Sequence, residues 1–276
     1  MSIFEYKKYR IYYTIDGANK TDAIPVIILN GIMMSTVSWD AFIPAFTEHH
    51  PVIRYDMLDQ GQSTKMNTTY TQELQVEILH HLLMYLKIKE VNIVGISYGA
   101  SVALQYAAKY PKTVQHLVVA NAVAKTSPWL KAIGDGWNEV AKSRNGLAYY
   151  NITIPYIYSP QFYTKEIAWM EQRKEMLIPL FSNPSFLDAM IRLTVSAETH
   201  NTIDVLDKIT AHTLILSGDM DCLTPVYEQE ILHQRIADSK LVVLPQCGHA
   251  SMYEQPDLFT SIVLGFINHK DKPSIV

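Results

Sequence analysis

Val91-Asn92-Ile93-Val94-Gly95-Ile96-Ser97-Tyr98-Gly99-Ala100-Ser101 runs from an apolar, β-branched stretch through small residues into a helical pattern closed by Pro111. A serine with glycines two positions to either side, at the junction of a buried strand and a helix, has a physical reading. The chain turns abruptly there and forces the serine into a strained backbone conformation, while the glycines leave room for the bend and for close helix packing. The hydroxyl is then expected beyond the carboxyl end of the strand, near the helix N-terminus, where partial positive charge favours an anionic intermediate.

Outward from this junction the same alternation repeats. Residues 26–30, 52–55, 117–120, 214–216 and 241–244 are further apolar runs of three to five residues, suited to strands buried on both faces. Residues 72–86 and 100–110 show helical spacing. This order predicts an α/β fold with a mostly parallel central sheet and helices on both faces. Residues 4–15 are rich in aromatic and β-branched side chains and lead to Asp16-Gly17, a turn signal, which predicts one or two antiparallel edge strands.

Between residues 124 and 200 the alternation stops. This block holds Trp129, Trp137 and Trp169 with Tyr149, Tyr150, Tyr156, Tyr158, Phe162 and Tyr163, and strand signals resume at Thr213. It reads as an inserted helical lid, which divides the chain into a first core part, 1–123, the lid, 124–200, and a second core part, 201–276. Most of these aromatics are expected to pack the lid onto the body, and a minority to line a cavity beneath it.

The 276 residues are 48% hydrophobic and 18% charged, and 23 Lys plus Arg stand against 27 Asp plus Glu, for a net charge of −4. No basic stripe suits nucleic acid, and no apolar run approaches the roughly 18 residues of a membrane span. Glu5, Lys7, Lys8 and Arg10 interrupt what a secretion signal would need, so a cytoplasmic location is expected. Cys222 and Cys247 lack metal-site spacing and read as free thiols, each a small apolar side chain, on loops that the fold brings together. No metal site is expected, and nothing in these residues specifies an oligomeric state.

A serine hydroxyl is a poor nucleophile until a base takes its proton, so the junction calls for a histidine and a carboxylate further along. Gly218-Asp219-Met220-Asp221 follows the run at 214–216, and Gly248-His249 follows the run at 241–244, with Glu254 and Pro256 opening the last helix. On these motifs the chain resembles α/β-hydrolase-fold proteins, from about residue 11 to about residue 268. That family's Gly-x-x-Asp-x-x-x-Pro loop matches Gly218, Asp221 and Pro225, which selects Asp221 over Asp219, and its order of serine, acid and histidine is met by Ser97, Asp221 and His249. Two departures stand out. The family's His-Gly after the third strand is Asn30-Gly31-Ile32-Met33 here, and Asp59 occupies a position where glycine is usual in the loop from Asp56 to Ser63. Asn30 is expected to shape its loop, and aspartate tolerates a left-handed backbone better than most residues. The other nine histidines read as surface or cap residues.

The resemblance implies a serine hydrolase working by acyl transfer. His249 takes the Ser97 proton, Asp221 orients the imidazole, and the backbone N–H groups of Ile32 and Tyr98 form an oxyanion hole. Met33 and Met34, with Trp129 and Trp137 from the lid, are expected to bind a small, largely apolar acyl substrate, without a cofactor. Esters, thioesters, lactones, activated amides and some C–C bonds fit such a site. Carboxylic esters rank first, ahead of thioesters and lactones. The serine argues against dehalogenases and epoxide hydrolases, which place aspartate at the nucleophile position. A slow-turnover ligand receptor on the same fold is the alternative. Arg144, Arg173 and Arg192 are candidates for a substrate carboxylate, with solvated helix faces the commoner fate of such residues.

Overall fold

The computed structural model describes residues 2–19 and 22–269. Strands form where the apolar runs fall: β1 Ser2–Tyr6, β2 Tyr9–Asp16, β3 Val26–Leu29, β4 Val52–Tyr55, β5 Val91–Ile96, β6 Val114–Ala120, β7 His212–Gly218 and β8 Ser239–Leu244. They make one sheet in the order β1-β2-β4-β3-β5-β6-β7-β8. From β4 to β8 every pairing is parallel, whereas β1 and β2 pair antiparallel with each other and β2 with β4. The turn between β1 and β2 lies at Lys7-Lys8, where Lys7 is left-handed with φ 53°. Asp16, at the expected turn, instead ends β2, and Gly17 follows it with φ 67°.

The helices are α1 Ile43–Thr47, α2 Gln72–Tyr85, α3 Tyr98–Lys109, α4 Pro128–Lys142, α5 Gly146–Ile157, α6 Pro160–Lys165, α7 Ile167–Phe181, α8 Pro184–Ala197, α9 Val226–Arg235, α10 Ser251–Glu254 and α11 Pro256–Ile267. Alternation along the strands explains the layers. Val26 and Ile28 of β3 face one core with Trp39, Phe46, Phe259 and Val263, while Ile27 and Leu29 face the other with residues of α2 and α3. Because β3, β4 and β5 are buried along their whole length, they read in sequence as mostly apolar runs, interrupted by Arg54 in β4 and Asn92 in β5.

Helices α4 to α8 form the expected inserted lid between β6 and β7. The larger core continues into it through Tyr149, Tyr150, Ile154, Phe181, Leu187 and Leu193. Its base is closed where Lys125 bridges Asn201, Thr126 N–H donates to the His200 carbonyl at 3.0 Å and Thr202 N–H to the Ala124 carbonyl at 2.8 Å. Among the described residues no helix is long and apolar enough to cross a membrane.

Candidate active site

Ser97 sits between β5 and α3 with φ 52° and ψ −114°, the strained backbone its neighbours imply. Both flanking glycines are needed for steric reasons. A Cβ at Gly99 would stand 2.2 Å from the Leu29 carbonyl oxygen, and one at Gly95 would stand 2.8 Å from the Gly99 carbonyl oxygen and the Ala100 Cα. The turn therefore lifts the hydroxyl above the carboxyl edge of the sheet, where the loops after β7 and β8 also end.

Those loops carry Asp221 and His249. His249 Nε2 lies 2.8 Å from Ser97 Oγ, and Nδ1 lies 2.8 Å from Asp221 Oδ2. Asp221 is buried, and Oδ1 accepts from the Leu223 and Thr224 N–H groups at 2.9 Å. Its Oδ2 also accepts from Thr224 Oγ1 at 2.6 Å and from Asn121 Nδ2 at 2.8 Å. Burial works against ionisation, but the charge of His249 and the hydrogen bonds from His249 and Thr224 outweigh it and hold the carboxyl at about 2. The carboxylate is thus fixed in charge and in direction.

Opposite the histidine, Gly31 and Ile32 follow the buried Asn30. Asn30 Nδ2 donates to the Tyr55 carbonyl at 3.0 Å and to Gln60 Oε1 at 3.2 Å, and Asn30 Oδ1 accepts from Trp39 Nε1 at 2.9 Å. Gln60 Nε2 in turn donates to the Gly31 carbonyl at 2.8 Å. Asn30 therefore holds the loop, as its position implied. The N–H groups of Ile32 and Tyr98 have no acceptor among the described residues, and both residues border the same cavity as Ser97 and His249.

That cavity measures about 210 Å³ and lies between the carboxyl edge of the sheet and the lid. Met33, Met34 and Trp137 line it as expected, together with Tyr158, Phe181 and Arg173. Trp129 does not: it starts α4 on the outer side, 57% exposed, one residue after Pro128 at the helix N-terminus. Of the remaining lid aromatics, Tyr149 and Tyr150 pack against Phe181, and Phe162 and Trp169 pack around Tyr158.

Several polar residues take places their sequence context did not announce. Arg192 meets the unusual Asp59, whose φ is 67°, through contacts of 2.6 and 3.1 Å, so it ties α8 to the loop after β4 and does not face solvent. Arg144 pairs with Asp188 at the surface. Two histidines are buried, not superficial: His50 bridges the Ile24 carbonyl and Asn268 Oδ1, and His200 bridges Gln105 and the Val123 carbonyl. Asn121 and Thr224, partners of Asp221, were missed, since Asn121 lies in no motif and Thr224 fills a variable position of the Gly218–Pro225 loop. Glu254, noted only as part of the histidine motif, accepts from Gly248 N–H, Ser159 N–H and Ser159 Oγ, which joins the histidine loop to the start of α6.

The loops of the two cysteines do meet, with Met220 N–H donating to the Cys247 carbonyl at 2.9 Å. Both thiols are free. Cys247 is buried, whereas Cys222 is exposed and not an apolar filler. No cluster of three or more metal-ligating side chains occurs among the described residues.

Comparison with known proteins agrees with this architecture. The crystal structure of MGS-M2, an alpha/beta hydrolase enzyme from a Medee basin deep-sea metagenome library, is 59% identical over all of both chains, with a TM-score of 0.97. The enol-lactonase of Burkholderia xenovorans LB400 shares the fold at 21% identity, with a TM-score of 0.86 over 97% of this chain and 100% of that one. The 2-hydroxy-6-oxo-2,4-heptadienoate hydrolase of Pseudomonas putida is 26% identical over 90% of each chain. The family model for the alpha/beta hydrolase fold matches residues 24–256. With the model spanning both the serine turn and the histidine loop, this chain belongs to the α/β-hydrolase fold family.

Proposed function

We propose that the protein is a serine hydrolase that cleaves carboxylic esters of small, largely apolar acyl groups through an acyl-enzyme. The observation that carries this reading is the hydrogen-bonded chain Ser97–His249–Asp221, with both links at 2.8 Å. Nδ1–H of His249 donates to Asp221, which leaves Nε2 to accept the Ser97 proton. The Ser97 oxygen attacks the acyl carbonyl, and the carbonyl electron pair moves onto oxygen. The N–H groups of Ile32 and Tyr98 receive that charge, each worth about 3 kcal/mol by deletion in comparable sites. His249 then returns its proton to the departing alkoxide, and water, activated by the same imidazole, releases the acid and restores Ser97.

Met33, Met34 and Trp137 supply the apolar wall on which the acyl chain lies. Residues 124–200 serve as the lid and 1–123 with 201–276 as the catalytic core. A cytoplasmic setting fits the two free thiols on adjacent loops. A fluorophosphonate probe tests the assignment: it is expected to label the protein on Ser97 and to leave Ser97→Ala unmodified. Labelling of the variant would remove Ser97 from its role.

A further inference from the structure

The two ends of Tyr98 face different tasks. Its N–H stands at the start of α3, directly after the strained Ser97, and is the second oxyanion donor of the proposed mechanism. Its side chain is 5% exposed, and its hydroxyl lies 2.7 Å from Ser196 Oγ on α8 of the lid.

Counting hydrogens fixes the direction of that bond. Ser196 Oγ has one proton and donates it to the Leu193 carbonyl at 2.7 Å, so the phenol donates to Ser196. Burial pushes the Tyr98 hydroxyl above its ordinary value, which keeps that proton in place through the neutral range. Gln75 and Tyr70 also approach the phenol, but they are engaged with each other and with Leu58. Leu58 N–H donates to Gln75 Oε1 at 3.1 Å, and Gln75 Nε2 donates to the Leu58 carbonyl and to the Tyr70 hydroxyl, both at 3.2 Å. Ser196 is thus the acceptor that holds the phenol.

Ser196 is 1% exposed and does not border the cavity, so it does not meet substrate. It shares a face of α8 with Arg192, four residues earlier, which grips Asp59. Thr194, Ala197 and Glu198 of the same helix border the cavity. Helix α8 therefore meets the nucleophile turn on one side and the substrate space on another. A backbone as strained as that of Ser97, with φ 52° and ψ −114°, persists only where its surroundings over-determine it. The peptide between Ser97 and Tyr98 carries the donor N–H, and the anchored Tyr98 side chain fixes the downstream end of that peptide.

We propose that Ser196 is a positioning residue for the oxyanion hole: through the Tyr98 hydroxyl it holds the Tyr98 N–H at the angle that the tetrahedral intermediate needs. The inference rests on the serine-hydrolase reading and adds a lid residue to it. Removing the acceptor leaves a buried O–H unpaired, and the ring regains a bond only by shifting towards Gln75 or Tyr70, which turns the peptide behind it. A misaimed donor costs the charged intermediate more than the ground-state ester, so the loss falls on turnover and not on substrate binding.

The experiment follows hydrolysis of p-nitrophenyl butanoate and inhibition by an alkyl trifluoromethyl ketone, whose adduct with Ser97 places an oxyanion in the same hole. The matching methyl ketone, which binds without forming the adduct, reports ground-state affinity. Ser196→Ala and Tyr98→Phe, neither of which removes a backbone N–H, are each expected to lower kcat on the order of tenfold and to weaken the trifluoromethyl ketone by the same factor. KM and the affinity for the methyl ketone should stay as they are. The double variant should be no worse than either single one, because the two hydroxyls act as one unit. Unchanged kcat and inhibition in both single variants, equal weakening of both ketones, or additive losses in the double variant overturn the proposal. Failure of the unmodified protein to hydrolyse the ester, or fluorophosphonate labelling of Ser97→Ala, instead sinks the serine-hydrolase reading on which it stands.

Discussion

Asn121 and Asp221 lie a hundred residues apart, yet the Asn121 amide donates to the carboxylate at 2.8 Å and accepts from Ser251 Oγ at 2.8 Å. Asn121 is left-handed, φ 53°, at the end of β6, a conformation asparagine tolerates better than most residues. Through Asp221 it acts on the imidazole as a positioning residue. Asn121→Ala removes one charge-assisted bond to Asp221, so kcat should fall about tenfold with KM little changed. Steady-state kinetics check this, and a rise in KM at constant kcat would place Asn121 in substrate binding instead. At this scale the sequence was legible where chemistry imposes a local pattern. Ser97, Asp221 and His249 each sit in a short motif, and Gly99 is required by the Leu29 carbonyl beside it. Asn121 was invisible because it becomes a partner of Asp221 only when the ends of β6 and β7 are side by side, and no spacing encodes that, whereas Thr224 lies three residues after Asp221 at a position the motif leaves open. Trp129 misled for the converse reason: an aromatic at a helix start carries no mark of which way the helix turns.

Among the elements, α8 is fastened to the core at separate points. Arg192 reaches Asp59, and Ser196 Oγ shares a hydrogen bond of 2.7 Å with the hydroxyl of Tyr98, the residue that follows the nucleophile. Asp59 is fully buried at its side chain and Arg192 nearly so, and breaking such a pair strands a charge, at a cost of about 3 kcal/mol. Asp59→Gly and Arg192→Ala are therefore each expected to lower stability by about that much and to speed proteolysis within residues 124–200. The double variant should cost little more than either single one, because the two side chains act as one unit. Full additivity in denaturant titrations would show that the pair contributes no coupling. The lid helices were the least legible elements. Pro155 and Pro179 lie inside α5 and α7, where a proline ordinarily signals an end, and the apolar residues of α5 surround much of the helix in place of forming a single stripe. By contrast, β3, β4 and β5 were plain because burial on both faces keeps them apolar but for Arg54 and Asn92, which are themselves buried and hydrogen-bonded.

For the molecule as a whole, the two cysteines separate interior from surface. Burial pushes the Cys247 thiol up to about 12, and burial also raises that of Cys222, although Cys222 is exposed. With iodoacetamide near pH 8, Cys222 is expected to be alkylated in the native protein and Cys247 only after unfolding, as mass mapping would report. Rapid native modification of Cys247 would contradict its burial. The linkage has a definite sign. A thiol whose folded value lies above its unfolded value favours the native state below the ordinary value of 9.0, and this contribution fades as pH rises from there towards 12. Alternation of strands and helices made the sheet and its two layers readable along the chain, while the course of residues 124–200 depended on contacts that no periodicity announces. The lid nonetheless departs and returns at one place, where Lys125 bridges Asn201 and Thr202 N–H reaches the Ala124 carbonyl. A segment whose two ends are neighbours can be exchanged for another of different length without re-threading what it covers. Grafting a roof from a relative onto this stem would therefore transplant the lid's share of the cavity wall as a cassette, provided the new roof restores the bonds that Arg192, Ser196 and Ser159 make to the body.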